Sequence, residues 1–304
     1  MSQTAGFAGL GRMGRPMALA VHRAGFPLQV WNRTAYTAQA FAAETGCQAA
    51  VHPSDLAASC DVLITMLADD VALQAFYVGP QGALAGLRTG HLVIDMSTVS
   101  PQASAALGRQ IHDAGGQFVD APVSGSTTAA EARTLLVMAG GEDSTVAAVR
   151  PVLTAMASKV IHVGGPGSGI IMKLAVNTIV YGINQAVAEG LVLAERAGID
   201  RVSAYDVFCE SAVAAPVVRY RRDFFVQPGN IAPSFLLDLA VKDMRLIAAL
   251  AEKVGSRIPQ ASVNLAELRD ASSAGYGDWD MSAVAEYLRG RPKEEFGSSP
   301  GRAK

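Results

Sequence analysis

Short apolar runs recur along the first half of the chain at 5–8, 28–31, 62–66, 92–96, 118–121, 135–139 and 160–163. Stretches with helical spacing separate them, including 15–24, closed by Gly25, and 101–114, closed by Gly115 and Gly116. The runs are almost uniformly apolar rather than alternating, as expected of parallel strands covered by helices on both faces. The pattern predicts an α/β domain built from successive βαβ units.

The segment 164–169 carries four glycines and a proline, and beyond it strand-like runs stop. Helical spacing continues at 169–197, 203–211, 234–254, 259–274 and 281–288. The reading is an α/β domain over 1–165, an all-helical domain over 166–290 and a polar, aperiodic tail over 291–304 expected to be disordered. The stretch 169–193 has the length of a membrane span, but Lys173, Asn177, Asn184, Gln185 and Glu189 interrupt it, which suits a buried helix.

Composition adds limits. Half of the 304 residues are hydrophobic and 17% are charged, the balance of a folded chain with a large core. A net charge of −2 gives no reason to expect nucleic acid or a membrane surface as partner. Cys47, Cys60 and Cys209 form no CxxC pair, so no metal site and no disulfide framework can be read from them; a reducing cytoplasm is the expected setting. No secretory signal is visible in the first residues.

Gly9-Leu10-Gly11-Arg12-Met13-Gly14 sets GxGxxG directly after the first apolar run and at the start of a helix. There Gly9 permits the tight bend, Gly11 admits a pyrophosphate close to the backbone, and Gly14 lets helix and strand pack closely. A structural turn is the bland alternative, but the βαβ context favours dinucleotide binding. The second run ends in Trp31-Asn32-Arg33-Thr34, about 20 residues beyond the motif, where an NAD enzyme usually carries an acid for the ribose. Asn32 takes the place of that acid. Asn32, Arg33 and Thr34 offer hydrogen bonds and one positive charge, which predicts preference for NADP(H) over NAD(H).

Lys173 and Asn177 stand four residues apart near the start of the long apolar helix, on one face. A snorkelling lysine and a satisfied core asparagine would also fit. Asp120-Ala121-Pro122-Val123-Ser124-Gly125-Ser126 follows a strand, at the sheet edge where ligands bind, so Ser124 and the N–H groups of Gly125 and Ser126 are candidate anion donors. Turn chemistry alone is the alternative. Reduction of a carbonyl needs a proton donor. His22, His52, His91 and His112 lie in unsuitable places, leaving His162 as the histidine alternative to Lys173.

In order and spacing, FAGLGRMGRPMA, DAPVSGS, GSGIIMKLAVN and Phe235-Leu236-Leu237-Asp238-Leu239-Ala240-Val241-Lys242-Asp243 resemble the motifs of β-hydroxyacid dehydrogenases over about residues 5–289. That family includes 3-hydroxyisobutyrate dehydrogenase, tartronate semialdehyde reductase and reductases of glyoxylate or succinic semialdehyde. The resemblance implies a Rossmann-like doubly wound N-terminal domain, an all-α C-terminal domain and a homodimer formed through the latter. It also implies Lys173 as general acid/base, Asn177 as its neighbour, Ser124 and Gly125 as substrate contacts and Lys242 as a coenzyme contact. Met66-Leu67 and Ser97-Thr98 would line the coenzyme groove. Phe235 is the candidate for limiting substituent size. Two positions depart from the family: Ser126 and Arg133 stand where glycines are usual.

Two other readings compete. Imine reductases share a GLGxMG turn and a WNRT-like second strand, but generally lack the lysine and DAPVSG. A catalytically inactive NADP-binding interaction module would typically lose the lysine as well.

Overall fold

The computed structural model describes residues 3–290; the tail expected over 291–304 lies outside them. The chain divides into two compact units between Lys173 and Leu174.

The first unit holds a nine-stranded sheet: β1 (Ala5–Ala8), β2 (Leu28–Trp31), β3 (Gln48–Ala49), β4 (Val62–Thr65), β5 (Leu92–Asp95), β6 (Gln117–Asp120), β7 (Val123–Ser124), β8 (Leu135–Gly140) and β9 (Ala157–Gly164). β3-β2-β1-β4-β5-β6 run parallel, with Phe7 opposite Val30 on one side and Ile64 on the other. Side chains alternate between two apolar cores. Phe7, Val30, Ile64, Ile94 and Val119 pack with Met17 and Val21, while Leu63 and Val93 pack with Leu56, Phe76 and Leu107. Both faces are buried, which accounts for the continuous apolar runs.

Strand order reverses between β1 and β4, the topological switch point where loops part and ligands bind. Hydrogen bonds continue the ladder past the strand ends: Gly9 N–H to Trp31, Met66 N–H to Ala8, Met96 N–H to Thr65 and Ala121 N–H to Asp95, at 2.7–3.0 Å. The loops leave one rigid edge.

The expectation of parallel pairing fails at the far side. β6 and β7 lie antiparallel on one edge of β8, and β9 pairs parallel on its other edge. Between β7 and β8 there is only the short helix Thr127–Glu131. A parallel return needs a crossover of roughly a dozen residues or more, so the strand turns back instead. Arg133 sits just after that helix at φ 58°, the left-handed conformation that commonly follows a helix end. This explains why a glycine is usual there. Arg133→Gly is expected to stabilise the protein by about 0.5–1 kcal/mol, the left-handed cost less the added freedom of the unfolded chain. Thermal unfolding reads this directly, and a lower midpoint would refute it.

The second unit is helical. Helices Ser168–Arg196, Arg201–Glu210, Leu237–Val254 and Pro259–Ala271 surround a core that includes Tyr181, Leu191, Tyr205, Val241, Met244 and Leu268. Helix Ser168–Arg196 crosses the division between the units and keeps Asn177, Asn184 and Gln185 buried. It is also long and apolar enough to cross a membrane by composition. Two short helices, Pro216–Tyr220 and Arg222–Val226, go beyond the expected set. The helix expected from residue 234 starts at Leu237, because Asp280 Oδ2 holds the N–H groups of Ser234 and Phe235 in a turn at 3.0 and 3.3 Å.

Candidate active site

The glycine turn behaves as its sequence requires. Gly9 has φ +96°, and a Cβ there would fall 2.2 Å from the Met66 carbonyl oxygen; one on Gly14 would fall 1.8 Å from that of Gly9. At Gly11 a Cβ would meet nothing within 4 Å, so that stretch of backbone faces open space. Helix Gly14–Arg23 starts at Met13 with no side-chain cap and no acid in its first turn, so its N–H groups suit an anion. Arg12 is exposed and Met13 packs on the core.

Asn32 is held in place by two hydrogen bonds. Its Oδ1 accepts the N–H of Leu10 at 3.0 Å, and its Nδ2 donates to the Thr34 carbonyl at 3.2 Å. It ties the glycine turn to the end of β2 and leaves the exposed Arg33 and Thr34 as candidates for the 2′ substituent. Trp31, Asn32, Arg33, Val51, His52 and Pro53 help to line a recess of about 610 Å³ beside them. An open turn, an uncapped helix and a recess with an arginine at its wall fit a dinucleotide phosphate and its adenosine end.

The next two loops are cross-linked. Ser97 Oγ accepts the N–H of Leu67 at 2.8 Å and donates to Asp95 Oδ1 at 2.6 Å, and Thr65 Oγ1 donates to the same oxygen at 2.8 Å. Burial pushes the Asp95 carboxyl up, against the pull of these donors. Met66-Leu67 and Ser97-Thr98 are thereby held as one surface. Asp95 was not legible as a linking residue, since Thr65 is 30 residues away in sequence and the Leu67 N–H it holds through Ser97 belongs to another strand's loop.

Ser124 is half-buried in β7, and Gly125 is exposed. Ser126 caps helix Thr127–Glu131, its Oγ accepting the N–H of Ala129 at 3.2 Å. Its O–H and N–H can still donate. Lys173 is half-buried in the second turn of helix Ser168–Arg196. His162, the alternative donor, has Nε2 within 2.8 Å of the Gly141 carbonyl and 2.9 Å of the Gly164 carbonyl, with Asp143 3.3 Å from Nδ1. These contacts make it a brace for the loop after β9.

Within the helical unit, Asp243 is the organising group. It is 2% exposed; Oδ2 accepts from Asn177 Nδ2 at 2.9 Å and from the Tyr181 hydroxyl at 2.6 Å, and Oδ1 pairs with Lys242 Nζ at 3.0 Å. Burial and the adjacent Asp243 push the Tyr181 hydroxyl well above its usual range, so Tyr181 serves as a donor to the carboxylate. Asn177 is therefore held in one orientation with its side-chain carbonyl still able to accept. The sequence motif ended on Asp243 without revealing this role. Phe235 is half-buried, its ring centroid 6.4 Å from that of Tyr181.

Comparison with known proteins places this arrangement. Residues 4–164 match the family described as the NAD binding domain of 6-phosphogluconate dehydrogenase, and residues 167–288 match NAD-binding of NADP-dependent 3-hydroxyisobutyrate dehydrogenase. Glyoxylate/succinic semialdehyde reductase 2, chloroplastic, from Arabidopsis thaliana is 33% identical over 291 residues, 95% of this chain and 80% of that protein. The 2-(hydroxymethyl)glutarate dehydrogenase of Eubacterium barkeri is 31% identical over 92% of both chains. The crystal structure of a 3-hydroxyisobutyrate dehydrogenase from Salmonella typhimurium superposes with a TM-score of 0.86 at 30% identity, covering 93% of this chain and 99% of that one.

Two further likenesses bear on the competing readings. An imine reductase from Pseudomonas sp. shares the fold at 20% identity and a TM-score of 0.64, over 95% of this chain and 100% of that one. The cytokine-like nuclear factor N-PAC of Xenopus tropicalis is 31% identical over 92% of this chain and 52% of its own length. Matches that span both halves, with relatives above 30% identity along nearly the whole length, establish that the chain belongs to the β-hydroxyacid dehydrogenase family of nicotinamide-dependent oxidoreductases.

Proposed function

We propose that the protein reduces a small aldehyde or keto acid carrying a nearby carboxylate to the hydroxy acid, or runs the reverse, with NADPH preferred and Lys173 as the proton donor. The observation that carries this reading is the pairing of Lys173 with Asn177 one turn on, the latter fixed by Asp243. The bound dihydronicotinamide supplies the hydride. Lys173 stabilises the charge that grows on the carbonyl oxygen and gives it a proton, and Asn177 fixes the geometry. Ser124 and the N–H groups of Gly125 and Ser126 hold the carboxylate, and Phe235 limits the substituent. Lys242, poised by Asp243, and the loops Met66-Leu67 and Ser97-Thr98 serve the coenzyme. Arg33 and the missing acid at position 32 support the preference for NADPH.

Assays of glyoxylate and succinic semialdehyde against their esters, with each coenzyme in turn, test the proposal. The acids should exceed the esters in kcat/KM by roughly tenfold or more, the scale of one lost charge-assisted hydrogen bond, and NADPH should exceed NADH similarly. Faster turnover of uncharged aldehydes or of cyclic imines would move the imine-reductase reading forward. No turnover of any carbonyl or imine would favour a binding module.

A homodimer through the helical unit is part of the same proposal. Ile179 and Leu193 on helix Ser168–Arg196 are 65% and 73% exposed, an apolar surface for a second copy. Sedimentation as a monomer at micromolar concentration would contradict it.

A further inference from the structure

Asp120, the first residue of DAPVSGS, sits at the C-terminal end of β6 and is 1% exposed. Its Oδ1 accepts the N–H of Gly167 at 2.7 Å and its Oδ2 that of Ile170 at 2.8 Å. These N–H groups belong to the entry of helix Ser168–Arg196, where donors have no partner inside the helix. A capping side chain normally comes from the residue just before the helix. Here it comes from 47 and 50 residues earlier in sequence, so the bond fastens the helix to the sheet rather than merely closing a turn.

The packing at this point leaves no slack. A Cβ on Gly169 would lie 2.3 Å from the Asp120 carbonyl oxygen and 2.5 Å from that of Met138, and one on Gly140 would lie 2.5 Å from the N of Gly169. The helix backbone rests directly on β6 and β8. Lys173 follows Ile170 by three residues, about 4.5 Å along the axis. A shift of the first turn therefore passes to its side chain.

We propose that Asp120 is a positioning residue for proton transfer: its carboxylate clamps the first turn of helix Ser168–Arg196 to the sheet edge and so fixes where Lys173 holds its ammonium. This rests on the reading of Lys173 as the proton donor. Burial pushes the Asp120 carboxyl up to about 6, more than the two N–H groups pull it down, and Asp95 on β5 adds repulsion. A group raised from its ordinary 3.8 contributes most to stability below that value and loses the contribution as pH rises through about 6. Protonation turns one of its two acceptors into a hydroxyl and loosens the clamp. Among the described residues Asp95 is the charged group that acts on it; Lys173 stands one turn beyond Gly169 on the same helix, His162 on β9 holds the Gly141 and Gly164 carbonyls, and β7, β8 and residues 164–167 bring no titratable group.

The test uses the full chain, wild type and Asp120→Asn, with kcat followed against pH at saturating substrate and NADPH. NADPH affinity is measured by fluorescence, and amide hydrogen exchange at Gly167 and Ile170. Wild type should lose kcat on acidification with an apparent pKa near 6. The variant should show kcat lower by ~10-fold at neutral pH, the scale of a small misplacement of a reacting group. It should also lack that acid limb, bind NADPH as wild type does and exchange faster at both amides. Wild-type kcat with the acid limb retained would overturn the proposal and assign the limb to another group. Should the variant not fold, wild-type exchange decides: protection at Ile170 that stays constant from pH 7.5 to 5 overturns the clamp. If Lys173→Ala keeps its turnover, the proton-donor reading fails while the exchange result still stands for the clamp.

Discussion

Lys173→Ala is expected to lower turnover by roughly 10² or more, the usual scale for losing a general acid, with NADPH affinity nearly unchanged. The separation of the two readouts follows from where the side chain sits. The glycine turn, the uncapped start of helix Gly14–Arg23 and the linked loops after β4 and β5 do not include Lys173. Its neighbour one turn on, Asn177, takes its orientation from Asp243, so truncating the lysine leaves the rest of the helix face organised. His162 is tied to two carbonyl oxygens and is poorly placed to take over. Single-turnover kinetics with preloaded NADPH isolate the chemical step. Retention of most of the rate would reassign the proton to water.

Breaking the Arg221–Asp280 pair should have the largest effect on stability. Their side chains are 4% and 9% exposed and in direct contact, and Asp280 also accepts from Ser234 N, Ser234 Oγ, Phe235 N and Ser282 N at 3.0–3.3 Å. Asp280→Ala leaves a buried guanidinium without its carboxylate and releases the turn that carries Phe235. A loss of about 3–5 kcal/mol is expected in urea unfolding, as for other buried pairs cut on one side. Glu44→Ala is the control. It breaks a contact with Arg15 whose partners are about half exposed, and it should cost at most about 1 kcal/mol. Equal effects for the two variants would show that burial is not what sets the cost at Asp280.

Features that depend on local pattern were legible in the sequence. Continuous apolar runs bounded by turn residues marked the seven longer strands, and GxGxxG marked the tight turn between the first strand and the first helix. What escaped was short or distant. β3 and β7 have two residues each, and helices Pro216–Tyr220 and Arg222–Val226 five, too few to display a period. The antiparallel return of β8 depends on a connection too short to cross a sheet face, which the apolar pattern does not register. In the site, the residue types were visible but not their partners. Asn32 was visible in the place of an acid, but its bond to Leu10, 22 residues away, was not. Asp120 and Asp243 stood inside quoted motifs without evident tasks, because the donors they fasten on other elements lie 47–66 residues off.

The long helix Ser168–Arg196 also bears on how the protein is made. Its mean hydropathy reaches 1.3 over an 18-residue window, and the inward face that carries Tyr181 and Leu191 is covered by Val241, Met244 and Leu268 from later in the chain. Roughly 90 residues separate its end from the end of the helical unit, so at ordinary elongation rates the face stays without its partners for about 5–20 s. During that interval a nascent chain displays a segment that meets the same criteria as a membrane span. Ribosome-bound chains ending at residue 220 and joined to a linker that spans the exit tunnel should be cleaved by protease within 168–196, whereas chains carried past 290 on the same linker should resist there, and resistance at the shorter length would mean that the helix is sheltered without its later partners.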